Sequence, residues 1–181
     1  TGANSTWTGN TNTDWANSNN WDNGVPTSSI TATITNVGNA PVIGSSTNAN
    51  TNNITISASA SLTISKAGSL TVDGNLTNNS NLTLNSDNDE YSSLIIKGTS
   101  SGNITYNRWI NSISSASPTS SDPGWDLVGS PVVGASLTSS NFSENSGNYA
   151  IQPYDNSDNT WTATSSVSVS TSLGTGYAMA K

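Results

Sequence analysis

Two short loops carry the acidic side chains with the clearest chemical potential. Residues 85–90 read Asn-Ser-Asp-Asn-Asp-Glu, and residues 154–159 read Tyr-Asp-Asn-Ser-Asp-Asn. Ca²⁺ takes about six to eight oxygen ligands from carboxylates and carbonyls, which such runs supply. Neither loop has the ligand spacing of an EF-hand, and Asp beside Asn or Ser is also typical of a polar turn, the interpretation we favour. The candidate Ca²⁺ ligands are Asp87, Asp89, Glu90, Asp155 and Asp158.

Tryptophan is the second residue type with binding chemistry, because an exposed indole face can stack on a sugar ring. Four of the six Trp residues are expected to pack in a core or cap, since Trp is usually buried and three of the four have a Gly within three residues. These are Trp7, Trp15, Trp21 and Trp125. Trp109 and Trp161 have polar neighbours, so they are the candidate glycan-binding residues, although a core or cap role is the interpretation we favour for them as well.

The residue types of most catalytic sites are missing. The sequence has no His and no Cys, which excludes Ser-His-Asp catalysis, Cys-His catalysis and the usual zinc ligand sets. Most of the 11 acidic residues lie beside Asn, Gly or Pro, where Asp commonly forms turns. We therefore predict that the chain is not an enzyme and needs no cofactor, with Ca²⁺ as the one candidate ligand ion.

Composition restricts the setting of the protein. Ser and Thr supply 60 of the 181 residues and Asn 27, whereas only 31% are hydrophobic and 8% charged. Four basic residues give no cationic footprint for nucleic acid, and no apolar run approaches the roughly 18 residues that predict membrane insertion. The absence of Cys fits either a reduced compartment or the exterior of a bacterium, and scarce Lys with abundant Ser, Thr and Asn favours the second, an extracellular or cell-surface location.

A short phrase repeats through residues 30–106, and it positions the candidate residues. The phrase is [Ser/Asn]-[Leu/Ile]-Thr-[Ile/Val/Leu], and from Ile54 onwards its first apolar residue recurs at unequal intervals, at positions 54, 62, 70, 76, 82, 94 and 104. Alternation of apolar and polar residues predicts short strands with one buried face. The predicted strands are 30–34, 41–43, 53–56, 61–64, 69–72, 75–77, 81–84, 93–96 and 103–106.

Such units cannot bury their apolar faces alone, so the repeat predicts stacked coils. We predict an all-β chain whose N-terminal part, residues 1–106, is a parallel β-helix with about three strands per coil and a Trp-rich cap at residues 1–29. An antiparallel sandwich is the alternative for this region, because the short turns between strands also suit hairpins.

Residues 107–181 differ from the repeat, since their apolar residues lie farther apart and aromatic residues return. A Ser/Pro-rich loop comes first, and the domain boundary is expected near residues 107–124. We predict a small antiparallel, β-sandwich-like module with strands at 125–128, 148–151, 159–162, 166–169 and 176–179.

A row of Thr residues is expected to face outwards from the repeat, at positions 55, 63, 71, 77, 83 and 105. A flat Thr array is typical of ice-binding surfaces, which makes ice binding a minor alternative function. The unequal strand spacing argues against one regular lattice, and Thr is also a good solvent-facing strand residue.

Several phrases resemble a known group of proteins. The opening is similar to that of β-solenoid regions in secreted Bacteroidota proteins, in Trp7-x-Gly9, Asp14-Trp15, Asn20-Trp21 and Gly24-Val25-Pro26. The run Leu-Thr-Val-Asp-Gly-Asn-Leu-Thr-Asn at residues 70–78 looks like the usual rung of those regions. The last part resembles the β-rich module that often precedes the sorting domain of type IX secretion cargo, in residues 106–108, 124–131, 154–155, 161 and 174–177.

The resemblance implies a surface or secreted bacterial protein, such as a gliding-motility adhesin, another adhesin or a large exported enzyme. We expect a non-enzymatic structural or adhesive module that serves adhesion, surface display, gliding motility or filament formation. The alternative is a glycan-binding accessory region of an exported polysaccharide-degrading enzyme. The expected partners are other surface proteins, the secretion machinery, glycans or further copies of the chain.

Overall fold

The protein folds almost entirely into short β-strands. The computed structural model describes residues 2–113, 124–130, 134–172 and 174–181. Over these residues the chain forms 20 strands and two 3₁₀ turns, Ser18–Asn20 and Ser139–Asn141. No helix in this part of the chain is long and apolar enough to span a membrane. The chain divides into two compact units, Thr1–Trp109 and Ile110–Lys181.

The first unit is a parallel β-solenoid, as the repeat predicted. Its strands form three parallel sheets: β1-β2-β5-β8-β11 is sheet 1, β3-β6-β9-β12 is sheet 2 and β4-β7-β10 is sheet 3. From β2 onwards the chain visits sheets 1, 2 and 3 in turn, so three strands make one coil. The antiparallel sandwich alternative is therefore wrong for this region. The bounds are β1 Asn4–Thr6, β2 Thr31–Ile34, β3 Val42–Ile43, β4 Asn48–Thr51, β5 Ile54–Ile56, β6 Ser61–Ile64, β7 Ser69–Val72, β8 Leu76–Asn78, β9 Asn81–Asn85, β10 Ser93–Ile96, β11 Ser100–Ser101 and β12 Thr105–Asn107.

Equivalent positions of successive coils are paired residue by residue. In sheet 1, Ile54 pairs with Leu76 of the next coil. In sheet 2, Leu62 pairs with Leu82 in the same way. The unequal spacing of strands along the sequence therefore adds up to coils of similar length. This register is strongly specified, because a shift of one residue would turn every inward side chain to the solvent.

The inward side chains of the coils form one continuous core. Along β6, Leu62 and Ile64 are buried, whereas Ser61 and Thr63 are only half-buried. Each fully buried Leu or Ile contributes about 1.5–3 kcal/mol relative to an exposed one. The largest fully buried aliphatic side chains of the core are those of Ile34, Ile43, Ile54, Ile56, Leu62, Ile64, Leu70, Leu76 and Leu82.

The predicted Thr row faces away from this core, but it is not a single row. Thr55 and Thr77 pair in sheet 1. The Thr residues at 63, 83 and 105 pair in sheet 2, and Thr71 lies in sheet 3. The six residues are thus distributed over three sheets, and the ice-binding alternative stays a prediction from sequence alone.

A ladder of Asn side chains fixes the corner that precedes sheet 1. The Asn53 carboxamide oxygen accepts from the Asn75 backbone N–H at 2.8 Å, and the Asn75 oxygen accepts from the Thr99 N–H at 2.9 Å. Gly74 and Gly98 lie beside these amides, and a Cβ at either position would overlap the amide oxygen of the coil before. The corner therefore needs Gly for space.

The Trp-rich cap closes the first coil, as predicted. Trp7, Trp15 and Trp21 are at most 5% exposed, and their rings meet edge-to-face with centroids 5.0 and 4.7 Å apart. β1 extends sheet 1, because Asn4–Thr6 pairs with β2. The backbone N–H of Trp15 donates to the Val42 carbonyl at 3.0 Å, so the cap also hydrogen-bonds to β3, the first strand of sheet 2.

Some strands of the solenoid were missed by the sequence pattern. β4 reads Asn-Ala-Asn-Thr and has no large apolar residue. Its inward positions are Ala49 and Thr51, both buried. The Thr51 hydroxyl satisfies its hydrogen bonding inside the core by donating to the carbonyls of Ile30 at 2.9 Å or Asn53 at 2.8 Å. The pattern failed here because a buried hydroxyl has a polar signature in sequence.

The second unit consists of small antiparallel sheets, as predicted. The sheets are β13-β20-β17-β18, β14-β19 and β15-β16. Ile151, Tyr177 and Met179 form one of its buried clusters. The predicted Ser/Pro-rich loop lies mostly at residues 114–123, outside the described residues. The bounds are β13 Asp126–Gly129, β14 Ser136–Thr138, β15 Glu144–Asn145, β16 Asn148–Tyr149, β17 Ile151–Asp155, β18 Thr160–Trp161, β19 Ser168–Ser170 and β20 Gly176–Met179.

The Asn–Gly corner gives a direct test of the solenoid packing. Gly74→Ala should lower the free energy of unfolding by about 1–3 kcal/mol, because the new methyl overlaps the Asn53 amide and neighbouring backbone. Gly38→Ala is the matched control, since a Cβ there meets nothing within 4 Å. Urea unfolding followed by circular dichroism measures both. Equal stability of the two variants would contradict the role of the corner.

Candidate functional site

The Trp residues with exposed rings lie in different units. Trp109, at the end of the first unit, is 48% exposed, and Trp161, in β18 of the second unit, is 40% exposed. Trp125 is partly buried against the cluster of Ile113, Ala150 and Ala180. The two glycan-binding candidates from the sequence therefore belong to different units.

Trp161 lies in a concavity of the second unit, which we call the aromatic groove. The groove encloses about 520 Å³, a volume within the usual range of small-molecule sites. The described residues that line it include no acidic or basic side chain. Its lining combines aromatic rings with side-chain amides, from Trp125, Tyr149, Trp161, Asn145, Asn148 and Gln152.

A tight turn places Trp161 at the groove. β17 and β18 pair as a hairpin in which Tyr154 stands opposite Trp161. The two rings pack at a centroid distance of 4.8 Å with a tilt of 56°. Tyr154 also hydrogen-bonds through its hydroxyl to Asn159, which has a left-handed φ of 61° in the turn. These contacts fix one side of the indole while part of its surface stays exposed.

The acidic residues of this turn accept hydrogen bonds that stabilise it. One carboxylate oxygen of Asp155 accepts from the Ser157 N–H at 2.8 Å and from the Ser157 hydroxyl at 2.7 Å. These hydrogen bonds hold the pKa of Asp155 below its usual value. Asp158 accepts from the Thr160 hydroxyl at 2.6 Å, directly before Trp161. Two candidate Ca²⁺ ligands therefore shape the hairpin that carries the indole.

A second hairpin carries Asn145 and Asn148, two of the amides that line the groove. β15 and β16 pair through Asn145 and Asn148, and the two residues between them, Ser146 and Gly147, have positive φ of 54° and 83°. This is the conformation of a type I′ hairpin turn. The Glu144 carboxylate accepts from the Gly147 N–H and stabilises the turn.

Tyr149 and Gln152 also line the groove. The Tyr149 N–H donates to the Thr164 carbonyl at 2.7 Å, which fixes the end of β16. Gln152 and Tyr154 alternate with Pro153 in β17, so both side chains leave the same face of the strand. Among the described residues, the side-chain amides of Asn148 and Gln152 have no hydrogen-bond partner within the protein.

The first acidic loop lies in the first unit, where it forms an extra turn after β9. The isolated bridge between Ser86 and Tyr91 closes it. Asp87 accepts from the backbone N–H groups of Asp89 at 3.1 Å and Glu90 at 2.9 Å, and it pairs with the Lys66 ammonium. The Glu90 carboxylate lies 3.5 Å from the same ammonium.

The Ca²⁺ prediction is neither supported nor overturned by this arrangement. Over the described residues, no three acidic side chains come together as a group that could hold a metal ion. In the first loop the Lys66 ammonium already occupies the position beside Asp87 and Glu90 where a cation would be favoured. Ca²⁺ binding therefore stays a prediction from sequence.

Trp109 has a different environment from Trp161. Its backbone N–H donates to the Ser86 hydroxyl at 2.6 Å. The preceding residue, Arg108, lies with its guanidinium carbon 3.8 Å from the centroid of the Tyr91 ring, a cation–π contact. This end of the first unit is therefore held to the loop that follows β9.

A second concavity lies in the first unit, beside the first strand of sheet 3. It encloses about 500 Å³ and is lined by the cap residues Trp15, Val25 and Pro26 together with Asn48 and Asn50 of β4. Among its described lining residues the aromatic side chain is that of Trp15, which is only 1% exposed, so it offers no open ring surface beside the amides. We therefore take the groove as the candidate site.

Comparison with known proteins places both units in a single family. A domain of unknown function, DUF8693, matches residues 6–181. The chain belongs to the DUF8693 family. No curated protein and no solved structure matches the chain significantly. Because the DUF8693 match runs from the cap to the last strands, it treats the solenoid and the antiparallel unit as parts of one domain, without assigning an activity.

Sequence reasoning identified Trp161 but missed the rest of the groove. Tyr149, Asn145 and Asn148 flank a Ser-Gly pair, which is a hairpin signal that the sequence carried. The approach of Tyr149 to Thr164 had no such signal, because pairing between distant segments is not encoded in local alternation.

The acid sensitivity of the first loop follows from Asp87. The Lys66 ammonium, with the N–H groups of Asp89 and Glu90, lowers its pKa in the folded protein from 3.8 to about 2. The ionised carboxylate therefore stabilises the folded state above about pH 3.8, and this contribution disappears as the pH falls towards 2. Asp87→Asn should lower the melting temperature at pH 6, and the difference should shrink between about pH 4 and pH 2.

Thermal unfolding over this pH range is the measurement. Asp89→Asn is the matched control, because the Asp89 carboxylate makes no hydrogen bond or ion pair with the described residues. A melting-temperature difference for Asp87→Asn that does not change with pH would contradict the assigned interaction.

Proposed function

We propose that the chain is a non-enzymatic, extracellular structural and adhesive module of a bacterial surface or secreted protein. The observation that carries the proposal is the uninterrupted pairing of the solenoid, in which sheet 1 alone joins five parallel strands from β1 to β11. Each coil is hydrogen-bonded to the next along the stacking direction, so the unit is suited to bear load and to act as a spacer.

The surface and core of the solenoid fit an exposed setting. Most outward side chains of the strands are Ser, Thr or Asn, and most of the large apolar side chains lie in the narrow interior, with Tyr91, Ile95 and Trp109 as exposed exceptions. The cap joins its segments through packed indoles and hydrogen bonds, including one of 2.8 Å from Trp21 Nε1 to the Trp15 carbonyl. The fold is therefore stabilised without disulfides, which the Cys-free sequence cannot form.

The expected export route rests on the resemblance of the sequence phrases to type IX secretion cargo of Bacteroidota. The rung at residues 70–78 and the Gly-Trp-Asp-Leu-Val-Gly run at residues 124–129 support it most directly. Adhesion, surface display and a part in gliding motility are the roles that such cargo implies. The partners in this proposal are other surface proteins, the secretion machinery and glycans.

Surface exposure and adhesion can be tested on cells that encode the chain. Antibodies raised against the purified chain should label intact cells, and mild protease treatment of those cells should remove the label. Beads coated with the folded chain should be retained on such cells or their extracellular matrix under flow, whereas beads coated with heat-denatured chain should not. Screens for glycosidase, lyase, esterase and protease activity should be blank.

Two results would overturn the proposal. One is label that stays inside protease-treated cells and is released only by lysis. The other is turnover of a substrate by the purified chain in the activity screens, because a catalytic chain is not a purely structural module.

A further inference from the structure

We infer that the aromatic groove binds an uncharged carbohydrate, with Trp161 and Tyr149 as ring platforms and the amides of Asn148 and Gln152 as partners for hydroxyl groups. The inference rests on the proposed adhesive function and deepens it, because it names the class of ligand that the module would hold.

The aromatic rings supply the apolar half of the recognition. One face of a pyranose ring presents only C–H groups, and a flat aromatic ring is the side chain that covers such a face best. Trp161 keeps 40% of its surface exposed even though Tyr154 packs against it at 4.8 Å. Tyr149 lines the same groove and is held at the end of β16 by its backbone hydrogen bond to Thr164. Rigid aromatic side chains lose little entropy on binding.

The amides supply the polar half. A side-chain amide presents one acceptor oxygen and a donor NH₂ group side by side, which matches the donor and acceptor capacity of two neighbouring hydroxyls. Asn148 and Gln152 line the groove with no partner for these groups among the described residues. The hydroxyls of Ser143 and Thr160 also line it.

Charge separates this ligand class from others. The described residues that line the groove include no acidic or basic side chain to pair with a charged ligand. An anionic or cationic ligand would lose its hydration there without an opposite charge to replace it. A purely apolar ligand would cover the amides and leave them without hydrogen bonds, which is also unfavourable. A neutral molecule with both C–H faces and hydroxyls can stack on the aromatic rings and hydrogen-bond to the amides.

The site stands on backbone that fixes these positions. Two hairpins with left-handed turn residues carry Asn145, Asn148 and Trp161, and the turn before Trp161 is held by the side chains of Asp155 and Asp158. A site on paired strands is held more precisely than one on open loops. The groove therefore needs little ordering when a ligand enters.

The test is binding of the full chain to a glycan array that contains neutral plant, algal and microbial oligosaccharides, anionic ones such as alginate and sulfated galactans, and a panel of peptides. We expect binding to be confined to neutral oligosaccharides. The best binder is then titrated by isothermal calorimetry against the variants.

Trp161→Ala should weaken that binding by at least about tenfold, since a central Trp commonly dominates an interface. Trp161→Phe keeps a ring and should lose less, which separates the loss of the platform from misfolding. Gln152→Ala should weaken binding less than Trp161→Ala does. Trp109→Ala is the matched control, because Trp109 is similarly exposed but lies in the other unit, and it should bind like the wild type.

A blank array would overturn the carbohydrate inference, as would binding only to anionic glycans or to peptides. Neutral glycan binding that Trp161→Ala leaves unchanged would overturn the assignment of the groove. Retention of the coated beads on cells, with a blank array, would leave the adhesive proposal standing while this inference fails. Loss of surface labelling would instead remove the proposed function itself.

Discussion

Parallel pairing between successive coils is the constraint on which the first unit depends. A strand in this arrangement has no hairpin partner, so its backbone groups are satisfied only when the equivalent strand of the next coil lies in register with it. Register in turn requires that inward residues match, as Leu62 does with Leu82. The low apolar content of the chain is sufficient to form a core, because each strand needs only about two inward side chains and the coils share one narrow interior.

Features at the edges of the solenoid follow from the same constraint. The amide of Asn53 bonds to the backbone of the next coil, and Gly74 leaves the space that this amide needs. The cap supplies hydrogen-bond partners to β2 of sheet 1, through β1, and to β3 of sheet 2, through the backbone N–H of Trp15. The strands of the second unit are organised differently. Its antiparallel hairpins hold aromatic and amide side chains at a groove instead of stacking identical residues.

Much of the fold could be predicted from sequence because the repeat shows its inward residues directly. Strands β6, β7 and β10 have the predicted bounds, since Leu, Ile or Val marks their inward positions. β4 was missed because its buried residues are Ala49 and Thr51. Apart from Trp161, the residues of the groove could not be predicted from the sequence. The groove is assembled by pairing between segments that share no repeated phrase, such as Tyr149 with Thr164.

The corner after β9 shows that the solenoid can lengthen one coil and still keep the pairing of its strands. Ala49 pairs with Leu70, and Leu70 pairs with Leu94, in one uninterrupted sheet, although the second interval along the sequence is longer than the first. The additional residues form a loop outside the coil, closed by the bridge between Ser86 and Tyr91. Corners of this kind can accept inserted segments without disturbing the ladders on either side. The scaffold can therefore diversify at its corners, and it offers the loop after β9 as a place to graft a foreign epitope.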